Sequence, residues 1–177
     1  MSKKRLYIAY GSNLNLPQMA LRCPTAKPVG TASLMNHELL FRGSRRGGVA
    51  TVEPKVGSAV PVLVWSIKPN DEIALDRYEG YPRLYTKRMI DVELGGRAVS
   101  AMVYVMTPGR DAGYPSQYYL DVIAGGYKSA GFDLAVLDAA VERTEEIMRQ
   151  EMEAFAAEME KDQEYGQLGL FDMKGWW

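Results

Sequence analysis

Apolar positions along the chain alternate between a period of two and a period near 3.6, and the changes of period divide it into strands and helices. Leu6 to Tyr10 is a short apolar run that enters Gly11-Ser12-Asn13, which predicts a strand leading into a loop. Leu16 to Leu21, with Pro17 near its start, predicts a short helix. Thr31 to Arg42 and Val49 to Val52 read as strands separated by Gly43-Ser44-Arg45-Arg46-Gly47-Gly48. Ala59 to Ile67 reads as another, with Trp65 and its neighbouring valines marking it as buried. Pro69-Asn70-Asp71-Glu72 begins a helix, with Asn70 as its expected N-cap and acids in the first turn. That helix runs to Tyr78 or Glu79, where Gly80 and Pro82 stop it. Tyr85 to Leu94 and Arg97 to Met106 bracket Gly95-Gly96, a hairpin signal.

Two helices are predicted to follow, Ser116 to Ala130 and Asp133 to about Glu164, with Asp133 as a cap. In the second, Leu137, Val141, Thr144, Met148, Met152, Phe155 and Met159 recur at spacings of three and four, with glutamates off that stripe. Such a stripe packs on a sheet or forms a dimer seam, leaving monomer and homodimer both open. Thr144 and the methionines make poor zipper positions and favour packing. Strands with short inserted helices, then helices at the end, indicate an α+β fold. Its sheet is expected to be mostly antiparallel or mixed, able to close into a barrel, with a long C-terminal helix.

Composition adds mainly exclusions. The 177 residues suit one domain with an extension, and 47% apolar residues suffice for a core. A net charge of −1 without a basic tract gives no electrostatic support to direct nucleic-acid binding. The apolar run after Met-Ser-Lys-Lys-Arg is too short for a signal peptide. No stretch approaches the roughly 20 apolar residues of a membrane helix, so a soluble cytoplasmic protein is expected. A single histidine, His37, and a single cysteine, Cys23, argue against a metal site, an intramolecular disulfide and a cysteine nucleophile. There is no glycine-rich phosphate loop. No metal and no cofactor is expected.

Three features carry candidate chemistry. Gly11-Ser12-Asn13 contains residues that tolerate positive φ, so the loop can turn backbone N–H groups toward an anion or oxyanion. Glu79 ends a helix, where the dipole disfavours a carboxylate; by pattern alone it reads as a solvated surface residue. Eleven tyrosines against four phenylalanines favour a pocket that needs hydroxyl groups, with Tyr7, Tyr10, Tyr85, Tyr104 and Tyr119 at element ends.

Together these segments resemble the γ-glutamyl cyclotransferase family. Tyr7-Ile8-Ala9-Tyr10-Gly11-Ser12-Asn13-Leu14 is similar to its signature loop, and Gly47-Gly48-Val49-Ala50-Thr51-Val52 to its second strand motif. Leu75-Asp76-Arg77-Tyr78-Glu79-Gly80, then Tyr85, resembles the segment with its catalytic glutamate. Tyr104-Val105-Met106-Thr107, Pro115-Ser116, Tyr119, Ile123 and Gly131 resemble its C-terminal segment. The resemblance implies a small mixed, barrel-like sheet flanked by helices. It implies release of 5-oxoproline when the α-amine of a γ-glutamyl group attacks its own γ-carbonyl, with Glu79 as general acid/base. Tyr10, Gly11, Ser12, Asn13, Leu14, Tyr85, Tyr104 and Tyr119 would bind the substrate, a small γ-glutamyl amide or γ-glutamyl amino acid. The expected division is a catalytic domain over 1–131, a helix packed on it over 132–164 and a tail over 165–177.

The tail brings a rival reading. Gln167, Leu168, Leu170 and Phe171 resemble the short peptide by which bacterial replication proteins bind the sliding clamp, with apolar anchors for a groove. On that reading the chain is a non-catalytic adaptor of the same fold. Alternatively, the tail's apolar side chains fold back on the domain.

Overall fold

The first strand, β1 (Arg5–Ala9), is short, and its last three residues are buried. In this computed structural model, which describes residues 4–172 and side chains through Lys161, β1 lies inside a six-stranded sheet. A tight turn, Ser12–Leu14, leads to α1 (Leu16–Arg22), where the Asn15 side chain caps the helix by accepting the Gln18 N–H at 3.1 Å. Two long strands follow, β2 (Lys27–Gly43) and β3 (Val49–Ile67), then α2 (Pro69–Tyr78). The hairpin of β4 (Tyr85–Leu94) and β5 (Arg97–Met106) has the ends that Gly95-Gly96 predicted, both glycines having positive φ. A two-residue strand, β6 (Asp111–Ala112), precedes α3 (Gln117–Ala130) and α4 (Ala135–Asp172).

The sheet order is β4-β5-β1-β3-β2-β6. β1 pairs parallel with β5, and the other neighbours pair antiparallel, so the sheet is mixed. It curls into a half-barrel that brings β2 back toward β4: a Cβ on Gly30 would lie 3.0 Å from Leu94 Cδ1. Ile8, Val62, Val64, Ile67 and Val103 of the sheet and Ile123 of α3 are almost fully excluded from water. Truncating one such side chain to alanine costs about 2–5 kcal/mol.

Two expectations are corrected here. Val49–Val52 and Ala59–Ile67 are one strand, because β2 pairs with β3 along nearly its whole length. The polar residues between them mark an exposed part of this ribbon rather than a break. A register shift near Asn36 absorbs the irregularity; Asn36 has φ 57°, and its Oδ1 accepts the Gly57 N–H at 3.1 Å. The α2 N-cap is Lys68, not Asn70: buried Asp71 accepts the Lys68 N–H at 2.9 Å and the Thr25 hydroxyl at 2.6 Å.

The last helix passes Glu164 and continues through Asp172, with no proline to stop it. The backbone of Gln167 to Phe171 is therefore helical rather than extended. The side chains of Gln167, Leu168, Leu170 and Phe171, and all of residues 173–177, lie outside the described residues.

The apolar stripe of α4 packs over its first half. Leu137, Ala140 and Thr144 are buried, and Thr144 Oγ1 accepts the Phe41 N–H at 3.1 Å while donating to the Ala140 carbonyl at 2.8 Å. Farther along, Met152, Phe155 and Met159 are 52%, 61% and 47% exposed, so packing accounts for only part of the stripe. Among the described residues no helix is long and apolar enough to cross a membrane.

Candidate active site

A cavity of about 200 Å³ opens beside the end of β1, bounded by the following turn, the start of β3, the end of α2, and β4, β5 and α3. Its walls include Tyr10, Gly11, Ser12, Asn13, Glu79, Tyr85, Tyr104 and Tyr119, bringing seven of the eight expected binding residues to Glu79. Leu14 is placed elsewhere: its side chain is fully buried in the core, and its N–H donates to the Gly11 carbonyl at 3.0 Å. A Cβ on Gly126 would lie 2.5 Å from Leu14 Cβ, so α3 rests directly on this turn and holds it in place.

The loop does not work as its residue types suggested. Neither Gly11 nor Asn13 has a positive φ; Gly11 sits at φ −116°. Glycine allows close approach there, since a Cβ would lie 3.1 Å from Ala50 Cβ, tighter than an ordinary contact. Ser12 Oγ lies 2.9 Å from the Tyr78 hydroxyl at the cavity edge.

Glu79 caps the C-terminus of α2, its N–H donating to the Leu75 carbonyl at 2.8 Å. Its carboxylate accepts from Asn13 Nδ2 at 2.9 Å. Burial pushes the Glu79 carboxyl up to about 7, against the opposing effects of the Arg22 charge and the Asn13 hydrogen bond. Its neighbours on α2 are neutralised separately. Lys87 Nζ lies 2.7 Å from carboxylate oxygens of both Glu72 and Asp76, and the Tyr104 hydroxyl donates to Asp76 at 2.5 Å.

The tyrosines divide by what their hydroxyls do. Tyr10 donates to the Tyr104 carbonyl at 2.7 Å, and Tyr85 to the Ala50 carbonyl at 2.6 Å, so both tie the walls together. Tyr7 instead accepts from Asn13 Nδ2 at 2.8 Å, and Tyr119 accepts the Ala50 N–H at 3.2 Å. A phenol that accepts retains its own hydrogen for another partner. Burial holds all five phenols well above their ordinary value, so they are neutral donors.

A model of the family described as gamma-glutamyl cyclotransferase, AIG2-like, matches residues 7–125. The chain belongs to that family. It is 31% identical over 140 residues to human gamma-glutamylcyclotransferase, covering 73% of each chain. To the mouse protein of that name it is 33% identical over 135 residues, covering 71% of each. A solved gamma-glutamyl cyclotransferase structure, 27% identical, matches with a TM-score of 0.71, covering 84% of this chain and 99% of that one.

As an enzyme of the γ-glutamyl cyclotransferase family, the chain carries its cavity within the matched region, and α4 lies beyond it. The site also has members that the expected set lacks. Tyr7, Val49, Ala50, Tyr78 and Leu84 line the cavity, and Arg22 reaches it through Asn13. Tyr7 carried a signal, as one of the tyrosines at element ends. Arg22 carried none, since a cation in the last turn of a helix is an ordinary arrangement.

The two residues weighed for other chemistry stand apart. Cys23 is buried, donates to the Asp71 carbonyl at 3.5 Å, and is pushed by burial up to about 12. His37 lies on β2 with its Nδ1 2.8 Å from the Met35 carbonyl.

Proposed function

We propose that this enzyme converts a γ-glutamyl amide into 5-oxoproline and a free amine or amino acid, with Glu79 carrying the protons. One observation supports this above others: a shielded carboxylate at the end of α2, raised to about 7, stands in a cavity walled by neutral phenols. A carboxylate at its ordinary value is too weak a base for an ammonium group, whereas one near 7 is matched to neutral solution.

Glu79 takes a proton from the α-ammonium group, and the freed amine attacks the γ-carbonyl carbon. The new C–N bond closes a five-membered ring and leaves an oxyanion. We assign the substrate carboxylate and that oxyanion to the backbone N–H groups of Gly11 to Asn13 in the cavity wall and to the Tyr7 and Tyr119 hydroxyls, which accept from Asn13 and Ala50. One such donor contributes about 3 kcal/mol in the transition state. Collapse breaks the amide C–N bond while Glu79 protonates the leaving nitrogen. A second proton follows the same route, so the product amine departs as ammonium and the carboxylate is restored. The enclosing walls need only favour the folded substrate conformer, because ring closure already has high effective concentration.

The walls and Glu79 support catalysis over the adaptor reading, which rests on the Gln167–Phe171 motif alone. The test is a panel of γ-glutamyl amino acids and γ-glutamyl amines with mass detection of 5-oxoproline. Wild type is expected to release 5-oxoproline from at least one class, and Glu79→Gln from none. Equal release by the variant would reject the role of Glu79.

A further inference from the structure

Asn13 occupies the centre of a chain of hydrogen bonds whose direction is set at one end. Its Oδ1 accepts from Arg22 Nη1 at 2.8 Å, while its Nδ2 donates to Glu79 Oε1 at 2.9 Å and to the Tyr7 hydroxyl at 2.8 Å. A carboxamide has nearly the same shape after its ends are exchanged, so partner chemistry decides its orientation. A guanidinium has no acceptor, and an ionised carboxylate has no donor. While Glu79 is ionised, both partners enforce the same orientation.

The agreement ends once Glu79 takes up a proton. A protonated carboxyl can donate, so with respect to Glu79 the exchanged amide is then equally acceptable. In that orientation Glu79 would give its hydrogen to Asn13 Oδ1, away from the leaving nitrogen. Tyr7 would also lose the donor that keeps its own hydrogen free. Only Arg22 opposes the exchange at this stage, and it is firmly held. Its other nitrogen donates to Gln18 one turn earlier on α1, and its guanidinium stacks 3.7 Å from the centroid of the Tyr78 ring.

We propose that Arg22 is a positioning residue that locks the Asn13 carboxamide through the proton-carrying stage, so that Glu79 and Tyr7 both direct their hydrogens at the substrate. The stage invoked rests on Glu79 as the proton carrier; the ground-state link from Arg22 through Asn13 to Glu79 does not. Arg22 is not among the cavity walls and acts through Asn13.

The test uses the full chain with Arg22→Met, Arg22→Lys and Arg22→Gln. The Glu79 carboxyl is titrated by 13C NMR, and turnover is measured on γ-glutamylalanine and γ-glutamylbutylamine. Loss of the cation removes an effect that holds the Glu79 value down, so its titration is expected to move to higher pH in Arg22→Met. kcat should fall about tenfold or more with a smaller change in KM, as for loss of a charged hydrogen bond. Lys, which can still donate, is expected to restore most of the rate. If Arg22→Met does not fold, Arg22→Gln carries the test: its carboxamide lacks the charge and offers an acceptor as well as a donor, so it cannot hold Asn13 in one orientation, and both the titration shift and the fall in kcat are expected. An unmoved Glu79 titration in the variants that lack the cation, Arg22→Met and Arg22→Gln, overturns the proposal, as does a wild-type kcat in Arg22→Met. Activity retained in Glu79→Gln would instead overturn the catalytic reading and leave the titration to judge the link.

Discussion

Asn13 donates to Glu79 at 2.9 Å across 66 residues of sequence, joining the turn after β1 to the end of α2. This contact unites the two features that local sequence pattern treated as ordinary. It stabilises the ionised carboxylate and so opposes burial. Replacing Asn13 with Ala should therefore raise the Glu79 value further. The acidic limb of kcat/KM should move to higher pH, and the rate at neutral pH should fall about tenfold or more. A pH–rate series on the variant checks both, and an unmoved limb would show that the contact has no part in tuning Glu79.

Burial of Glu79 also links the site to stability. Its folded value, about 7, lies above the ordinary 4.5, so the folded state binds the proton more tightly than the unfolded state. The resulting stabilisation is fully present below about pH 4.5 and is lost as pH rises through 7. A neutral glutamine avoids that loss. Glu79→Gln should be more stable than wild type at pH 8, by an amount up to about 3 kcal/mol, and should gain little at pH 4.5. Denaturant unfolding of both proteins at the two pH values measures the difference.

Gly126 is where α3 meets the turn that carries the site. A methyl there would overlap Leu14 Cβ at 2.5 Å and the Leu14 carbonyl carbon at 2.8 Å. Gly126→Ala should destabilise the protein by about 1–3 kcal/mol despite its better helix propensity. Activity should fall in the same variant because the turn must shift. Thermal melts and turnover measured together check this.

The sliding-clamp motif remains a proposal with its own test. Deletion of residues 167–177 should abolish capture by purified clamp and leave 5-oxoproline release intact. Undiminished capture by the shortened chain rejects the motif.

Strands were legible where turn chemistry marked their ends. Gly95-Gly96 gave both edges of the β4–β5 hairpin, since positive φ at two successive positions suits little besides a tight turn. The continuity of β3 was not legible. Its exposed middle is polar because the ribbon leaves the core there, and a loop would be polar as well. At the site, Tyr10, Gly11, Ser12, Asn13 and Glu79 could be read through ordered family resemblance, whereas local pattern placed Glu79 on the surface. Arg22 escaped because its importance lies in hydrogen-bond direction, which depends on three residues distant in sequence. The stripe on α4 was legible as apolar, but how far the domain extends beneath it depends on the packing of β2 and β6.

The central claim is that Glu79 carries the protons of ring closure, and the pH dependence of kcat/KM tests it most directly because it reports groups on the free enzyme. With a γ-glutamyl substrate that the wild type turns over, the profile should rise through an acidic limb centred near pH 7, the value to which burial brings Glu79. In Glu79→Gln the rate should be lost at every pH. A profile that stays flat down to pH 5, or the same limb persisting in an active Glu79→Gln enzyme, would contradict the account.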